Sequence, residues 1–267
     1  KIKNSKQPII ISGGGVLYSE AEQELSKFAK KHNIPVTSTV MGIGCMTKDD
    51  PYYISAVGAL GEGSSNSLSK DTDLALAIGT KLADFTTGSW ANFENPNFKL
   101  VSVNTARYDT TKHLATPVIS DAKVGLQKIS EALGDWKAPD DWYKRAIKEK
   151  NEWDAYVEKQ SGPTNQEEPS YAHAVGAVYR NSDPSDIVVT AAGGLVGEVV
   201  QVWKPKQLNT FETEWGFSCM GYEISGALGI KMAKPDQDVV VFVGDGSYLL
   251  NNTDIYSSVI YDQKLII

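Results

Sequence analysis

A chain of 267 residues, 41% hydrophobic and 22% charged, is long enough for one large or two ordinary soluble domains. Its net charge of -7 excludes a nucleic-acid partner gripped by its phosphates, which calls for a basic surface. Two cysteines without CxxC spacing and three histidines without metal spacing exclude a zinc site and a disulfide framework, and no apolar run reaches the length of a membrane span.

No signal peptide opens the chain, so a cytoplasmic setting is expected. In order, Pro8 to Ser12 reads as a strand ending in Gly13-Gly14-Gly15. A helix is predicted from Ser19 to Asn33, with Ser19 and Glu22 at capping-box spacing, and a short strand from Val36 to Thr39. Together they make one βαβ unit with parallel strands. The triple glycine does not fit GxGxxG, because Leu17 and Tyr18 fill the later positions and no acidic residue closes the second strand. A turn that packs helix closely on sheet is the better reading.

The segment from Met41 to Asn66 reads as a long functional loop or lid. A helix around Ser65 to Lys70, strands at Leu74–Gly79, Phe98–Asn104 and Pro117–Ser120, and a helix from Asp121 to Leu133 complete an α/β domain. In that last helix Asp121 is the expected N-cap, and Val124, Leu126, Ile129 and Leu133 are the expected apolar positions. Residues 135–169 read as a helical linker: Trp142, Ile147, Trp153 and Tyr156 lie on a Lys/Glu-rich helix as a packing face, followed by the breaker-rich SGPTNQEEP. Domains are thus expected at 1–134 and 170–267.

The second domain is predicted as a helix at Tyr171–Arg180, a strand at Ile187–Thr190 ending in Ala-Ala-Gly-Gly, a helix at Leu195–Trp203, a short strand at Thr210–Thr213, a helix at Met220–Lys234 rich in small residues, and a buried strand from Val239 to Val243. Gly244-Asp245-Gly246-Ser247 follows that strand directly. Glycines on both sides of an aspartate let the backbone approach an anion, while the carboxylate suits a hard cation. The same residues serve an ordinary tight turn, so position must decide, and ligands of open α/β sheets sit beyond the carboxyl ends of strands.

Combined, SCMG, GDGS and the small-residue helix between them resemble the thiamine-diphosphate-dependent enzymes of the acetolactate synthase and pyruvate decarboxylase type. The resemblance implies two parallel-sheet α/β domains: a Rossmann-like middle domain and part of the pyrophosphate-binding domain. Within the family the runs PIIISGGGVLYSEAEQELSKFAKKHNIPV, ADFTTGSWANFENPNFKLVSVNTARYD and NTFETEWGFSCMGYEISGALGIKMAKPDQDVVVFVGDGSYL are similar to a branch of hydrolases that open a cyclic 1,2-dione in inositol breakdown. Departures are Asn251-Asn252-Thr253-Asp254, where that branch usually carries a histidine and a Ser-Glu pair, and Gly194 and Val196, where Ser and Pro are usual.

By that resemblance thiamine diphosphate and Mg²⁺ are the cofactors and a cyclic diketone the substrate. Asp245 would bind the metal; Gly244, Gly246 and Ser247 would hold phosphate; Met220 would support the bent cofactor. Ser218 and Met220 would meet its aminopyrimidine, and Gly194 and Leu195 would line the other side. Glu214 and Glu223 read as hydrogen-bonded structural carboxylates, and no catalytic residue is assigned. The activating glutamate is expected from a pyrimidine-binding domain of another subunit, in a homodimer or homotetramer, and a second metal ligand beyond Ile267. Competing readings are an acetolactate-synthase-like carboligase and a non-catalytic nucleotide-binding or oligomerisation module.

Overall fold

The computed structural model describes every residue from Lys1 to Ile267 and divides into two compact units, Lys1–Tyr156 and Val157–Ile267. The division falls inside a long helix, Asp140–Ser161, within the segment 135–169 that reads as a linker.

In the first unit the elements run β1 (Pro8–Ser12), α1 (Gly14–Tyr18), α2 (Glu22–His32), β2 (Val36–Ser38), β3 (Tyr53–Ala56), α3 (Gly63–Asp71), β4 (Leu74–Ile78), α4 (Asp84–Thr87), β5 (Lys99–Asn104), α5 (Arg107–Thr111), β6 (Thr116–Ile119), α6 (Ala122–Leu133) and the start of α7 (Asp140–Ser161). Six parallel strands stand in the order β3-β2-β1-β4-β5-β6. That is the doubly wound order, with its reversal between β1 and β4. Central strands are apolar on both faces. Ile10, Leu74, Leu76 and Ile78 pack under α2 and α6, while Ile9, Ile11, Ala75 and Ala77 face Leu68 and the Trp142–Ala146 end of α7. Trp142 also donates its indole N–H to Pro8 O at 2.8 Å, so the predicted aromatic face packs on the sheet at its Trp142 end, while Tyr156 at the other end is 51% exposed and does not.

Three expectations are corrected. The capping box at Ser19 does not form: the chain first makes α1, Ser19 closes it, and α2 starts after Ala21. Its first turn carries Glu22 and Glu24, which favour a helix start through the dipole instead. The long loop from Met41 to Asn66 contains an edge strand, β3, paired to β2. Its four residues, YISA, are too short to give a periodic signal. Val124 is 49% exposed, and α6 instead turns Ala122, Gly125, Leu126 and Leu133 inward. The Asp121 cap forms as expected, accepting from Lys123 N and Val124 N.

The glycine run after β1 settles whether a nucleotide fits the first reversal. Gly13 N donates to Ile78 O and Gly15 N to Gly79 O, both at 2.9 Å. A methyl group on Gly79, where φ is +61°, would lie 2.6 Å from Gly15 Cα. Backbone therefore fills the crevice and uses the amides an anion would need, so the non-catalytic nucleotide-binding reading loses its site.

The second unit continues with α8 (Tyr171–Asn181), β7 (Ile187–Thr190), α9 (Leu195–Val202), β8 (Phe211–Thr213), α10 (Tyr222–Ala233), β9 (Val239–Val241), α11 (Asp245–Leu250) and α12 (Thr253–Ile260). Its parallel sheet runs β8-β7-β9, and Ile266 bridges Val240 on the far side of β9. The regular pairing of β9 ends at Val241, two residues before the predicted end. Packing of α10 buries Ala227 against Ile187, Val189, Val239 and Val241. At the start of α8, Ser170 and His173 form a capping box, which gives His173 a structural use.

His32 is the last residue of α2. It is fully buried, with Nδ1 2.8 Å from Trp136 O and Nε2 2.9 Å from Ser130 Oγ. Those partners suit a neutral ring that donates from Nδ1 and accepts at Nε2. Burial holds its pKa below the ordinary value of 6.5, against the raising effect of the Trp136 carbonyl. The unfolded chain then takes up the proton first, so stability present above pH 6.5 is lost as pH falls toward the lowered value. The unfolding midpoint of the wild type should drop through this window, and His32→Gln should flatten that dependence; equal slopes in a pH series of thermal melts would contradict it.

Candidate cofactor site

The second unit has its own reversal of strand order, because the chain leaves β7 toward β8 on one side and returns as β9 on the other. Val189 lies beside Val241 in register, which sets the Ala191–Gly194 turn next to the Val243–Ser247 turn at the carboxyl edge. Unlike the first reversal, this one is open. Nothing lies within 4 Å of a methyl group built on Gly193, Gly194 or Gly244. A cavity of about 490 Å³ is lined by Leu195, Gly244 and Asp245, with Val178, Tyr248 and the Val240–Val243 strand end.

A third wall comes from the turn between β8 and α10. Ser218 adopts φ 53° and donates its hydroxyl to Ala191 O at 3.2 Å, tying this turn to the end of β7. Glu214 accepts from Phe217 N at 3.0 Å and Cys219 N at 2.6 Å. Burial raises its pKa, but these amide hydrogen bonds outweigh burial and hold the carboxyl below its usual range. Glu223, 1% exposed, accepts from Ala192 N at 3.1 Å and Gly221 N at 2.9 Å. Both glutamates are hydrogen-bonded supports of the turn.

Met220 is half exposed, and its Cε lies 2.9 Å from where a Cβ on Gly246 would stand. Any side chain at Gly246 would displace it. Asp245 is exposed, with Oδ1 accepting from Gly246 N at 2.8 Å. Thus Leu195, Gly244 and Asp245 share one cavity, Met220 meets Gly246, and Ser218 reaches the turn that carries Gly194. Ser247 differs, being only 3% exposed beneath the turn. No group of three or more His, Cys, Asp or Glu side chains gathers as a metal site among the described residues.

Residues that sequence reasoning did not place lie in the corner after α11. Asn251 donates to Gly221 O at 3.4 Å and to Ser225 Oγ, and Ser225 donates to Asp254 Oδ2 at 2.5 Å. Asn251 and Asp254 fall in the stretch where the chain departs from the hydrolase pattern, and here they bind Gly221 and Ser225 at the start of α10. Contacts across 26 to 30 residues leave no local signal in the sequence.

Residues 1–129 match the family model for the thiamine pyrophosphate enzyme central domain, and residues 191–267 match that for the thiamine pyrophosphate enzyme C-terminal TPP binding domain. The chain belongs to the thiamine pyrophosphate enzyme family. Both sheets are the parallel α/β layers expected of its middle and C-terminal domains. Similar curated proteins are the 3D-(3,5/4)-trihydroxycyclohexane-1,2-dione hydrolases of Geobacillus thermodenitrificans, 34% identical over 99% of this chain and 44% of the relative, and of Clostridium tetani, 36% identical over 99% and 45%. That of Clostridium perfringens is 33% identical over the same shares, 99% and 45%. The chain therefore spans a little under half the length of these relatives. No helix is long and apolar enough to cross a membrane.

The two cysteines report on different environments. Cys45 is buried against Ser12 and its thiol is pushed up to about 12, chiefly by burial. Exposed Cys219 is also held up, by local desolvation and by the Glu214 carboxylate. Replacing Glu214 by Gln removes that charge and frees the turn, so Cys219 should alkylate several-fold faster at mildly alkaline pH while Cys45 stays inert. Iodoacetamide labelling resolved by peptide mass would show this; an unchanged Cys219 rate would contradict the Glu214 contact.

Proposed function

We propose that this chain supplies the middle domain and the diphosphate-binding part of a thiamine-diphosphate-dependent hydrolase, which opens the ring of trihydroxycyclohexane-1,2-dione to 5-deoxy-glucuronate in myo-inositol degradation. The observation that carries the cofactor reading is the open reversal between β7 and β9, with three unobstructed glycines and the exposed Asp245 at its rim. The substrate reading is supported by relatives of that name at 31% to 36% identity.

The donor set suits the group. The unobstructed Gly244 would let phosphate oxygens approach the chain, the Gly246 amide would turn to them from the Asp245 carboxylate it now meets, and Ser247 would add its amide and hydroxyl, while Gly194 would line the other side of the cofactor. Asp245 would take Mg²⁺, with the diphosphate oxygens as further ligands, since a hard cation prefers oxygen and leaves coordination positions for phosphate. Leu195 would pack on one side of the cofactor. On the other, Met220 would support its bent shape and backbone groups at Ser218 and Met220 would orient its ring. Thiamine diphosphate, when bound, supplies the electron sink for carbon–carbon cleavage. The chain's own part is to bind, orient and exclude water. A cytoplasmic homodimer or homotetramer, with a pyrimidine-binding domain from another subunit, completes the reading.

A ligand that binds only the folded state raises its melting temperature, by about 2.7 kcal/mol of stability at a hundredfold excess over Kd. Full-length protein should therefore melt higher with thiamine diphosphate and Mg²⁺, and Asp245→Ala should lose the Mg²⁺-dependent part of the rise while melting normally alone. An unchanged cofactor affinity in that variant would remove Asp245 from the metal site. Ring-diketone hydrolysis assayed beside pyruvate condensation separates the hydrolase from a carboligase.

A further inference from the structure

We infer that Glu223 is a positioning residue for this site: with Asn251 it clamps Gly221 and so fixes two of the cofactor's walls relative to each other. The inference rests on the cofactor reading above. It begins from a buried charge. A carboxylate that is 1% exposed needs partners to offset its lost hydration, and those of Glu223 are two backbone amides from different turns. Oε1 holds Ala192, the residue before Gly193 and Gly194; Oε2 holds Gly221, the residue after Met220. One side chain thus spans the strand-end turn of β7 and the entry to α10.

Gly221 is the pivot. Its φ of +94° is open to glycine, and a Cβ there would stand 2.8 Å from Asn251 Cβ. Its N–H goes to Glu223, while its carbonyl accepts from Asn251, which is itself tied through Ser225 to Asp254. Held through both its N–H and its carbonyl, Gly221 fixes the backbone that carries Met220 toward Gly246. Without Glu223 the turn at Gly193–Gly194 and the turn at Met220 lose their common anchor, and cofactor binding must then order both.

Glu223→Gln keeps the length but leaves one acceptor atom, and turns the other into a donor facing an amide N–H. In cofactor-free full-length protein, hydrogen exchange at Ala192 and Gly221 should quicken about 10-fold or more, as expected for a lost charge-assisted hydrogen bond. At a temperature where both proteins are folded, Kd for thiamine diphosphate should rise about 10- to 100-fold. Glu223→Asp, which keeps the charge and is one methylene shorter, should recover part of the affinity. A lower melting temperature with unchanged Kd would make Glu223 merely structural, and unchanged exchange would show that the clamp does not form; either overturns the inference. If Glu223→Gln does not fold, Asn251→Ala decides, with the same rise in Kd expected and an unchanged Kd overturning the clamp. Wild-type protein that binds no thiamine diphosphate while exchange still responds to Glu223 would overturn the cofactor reading and the positioning role with it. Failure of the clamp alone leaves wild-type binding intact, so the two failures are distinguishable.

Discussion

A parallel sheet whose strand order reverses must leave a gap above the two strands at which the connections part, because the helices then lie on opposite faces. The second unit depends on how that gap is treated. Between β7 and β9 it is walled by three turns rather than filled by one, and two of those turns are fixed by backbone hydrogen bonding to buried or half-buried carboxylates. Glu214 folds its own turn; Glu223 joins that turn to the end of β7. Each replaces water with amides, which is the condition for a charge to sit near the floor of a site at tolerable cost.

The first unit shows the opposite treatment of the same topology. There Gly15 and Gly79 bring two turns into backbone contact, and the amides that would bind an anion are spent on carbonyls of the neighbouring turn. Glycine permits both outcomes, close approach of chain to chain or of chain to ligand. The two units are thus alike in fold and unlike in site. The contrast also explains why the site can be sought in only one of them.

Much of the fold is legible in the residues. Continuous apolar runs mark β1, β4, β7 and β9, and the N-cap at Asp121 marks α6, since burial on both faces and orphan amides at a helix start are local demands. β3 and the break between α1 and α2 are not legible. A four-residue edge strand is stabilised by its partner β2, and the helix break falls at Glu20, whose φ of 48° no residue preference announces, so neither has a local signature. The same holds in the site. GDGS stands out because it directly follows a buried strand and lies downstream of SCMG, whereas nothing local says that Asn251, Ser225 and Asp254 meet one another.

The sequence by itself therefore determined the class of the two sheets and the family. Only the tertiary structure decided which glycine turn is filled and which is open, and that Glu223 spans two turns while Asn251 meets Gly221. The reason is physical: strand and helix preferences act over a few residues and are written locally. An open crevice, by contrast, is a property of backbone segments brought side by side from 30 or so residues away, as Ala192 and Glu223 are.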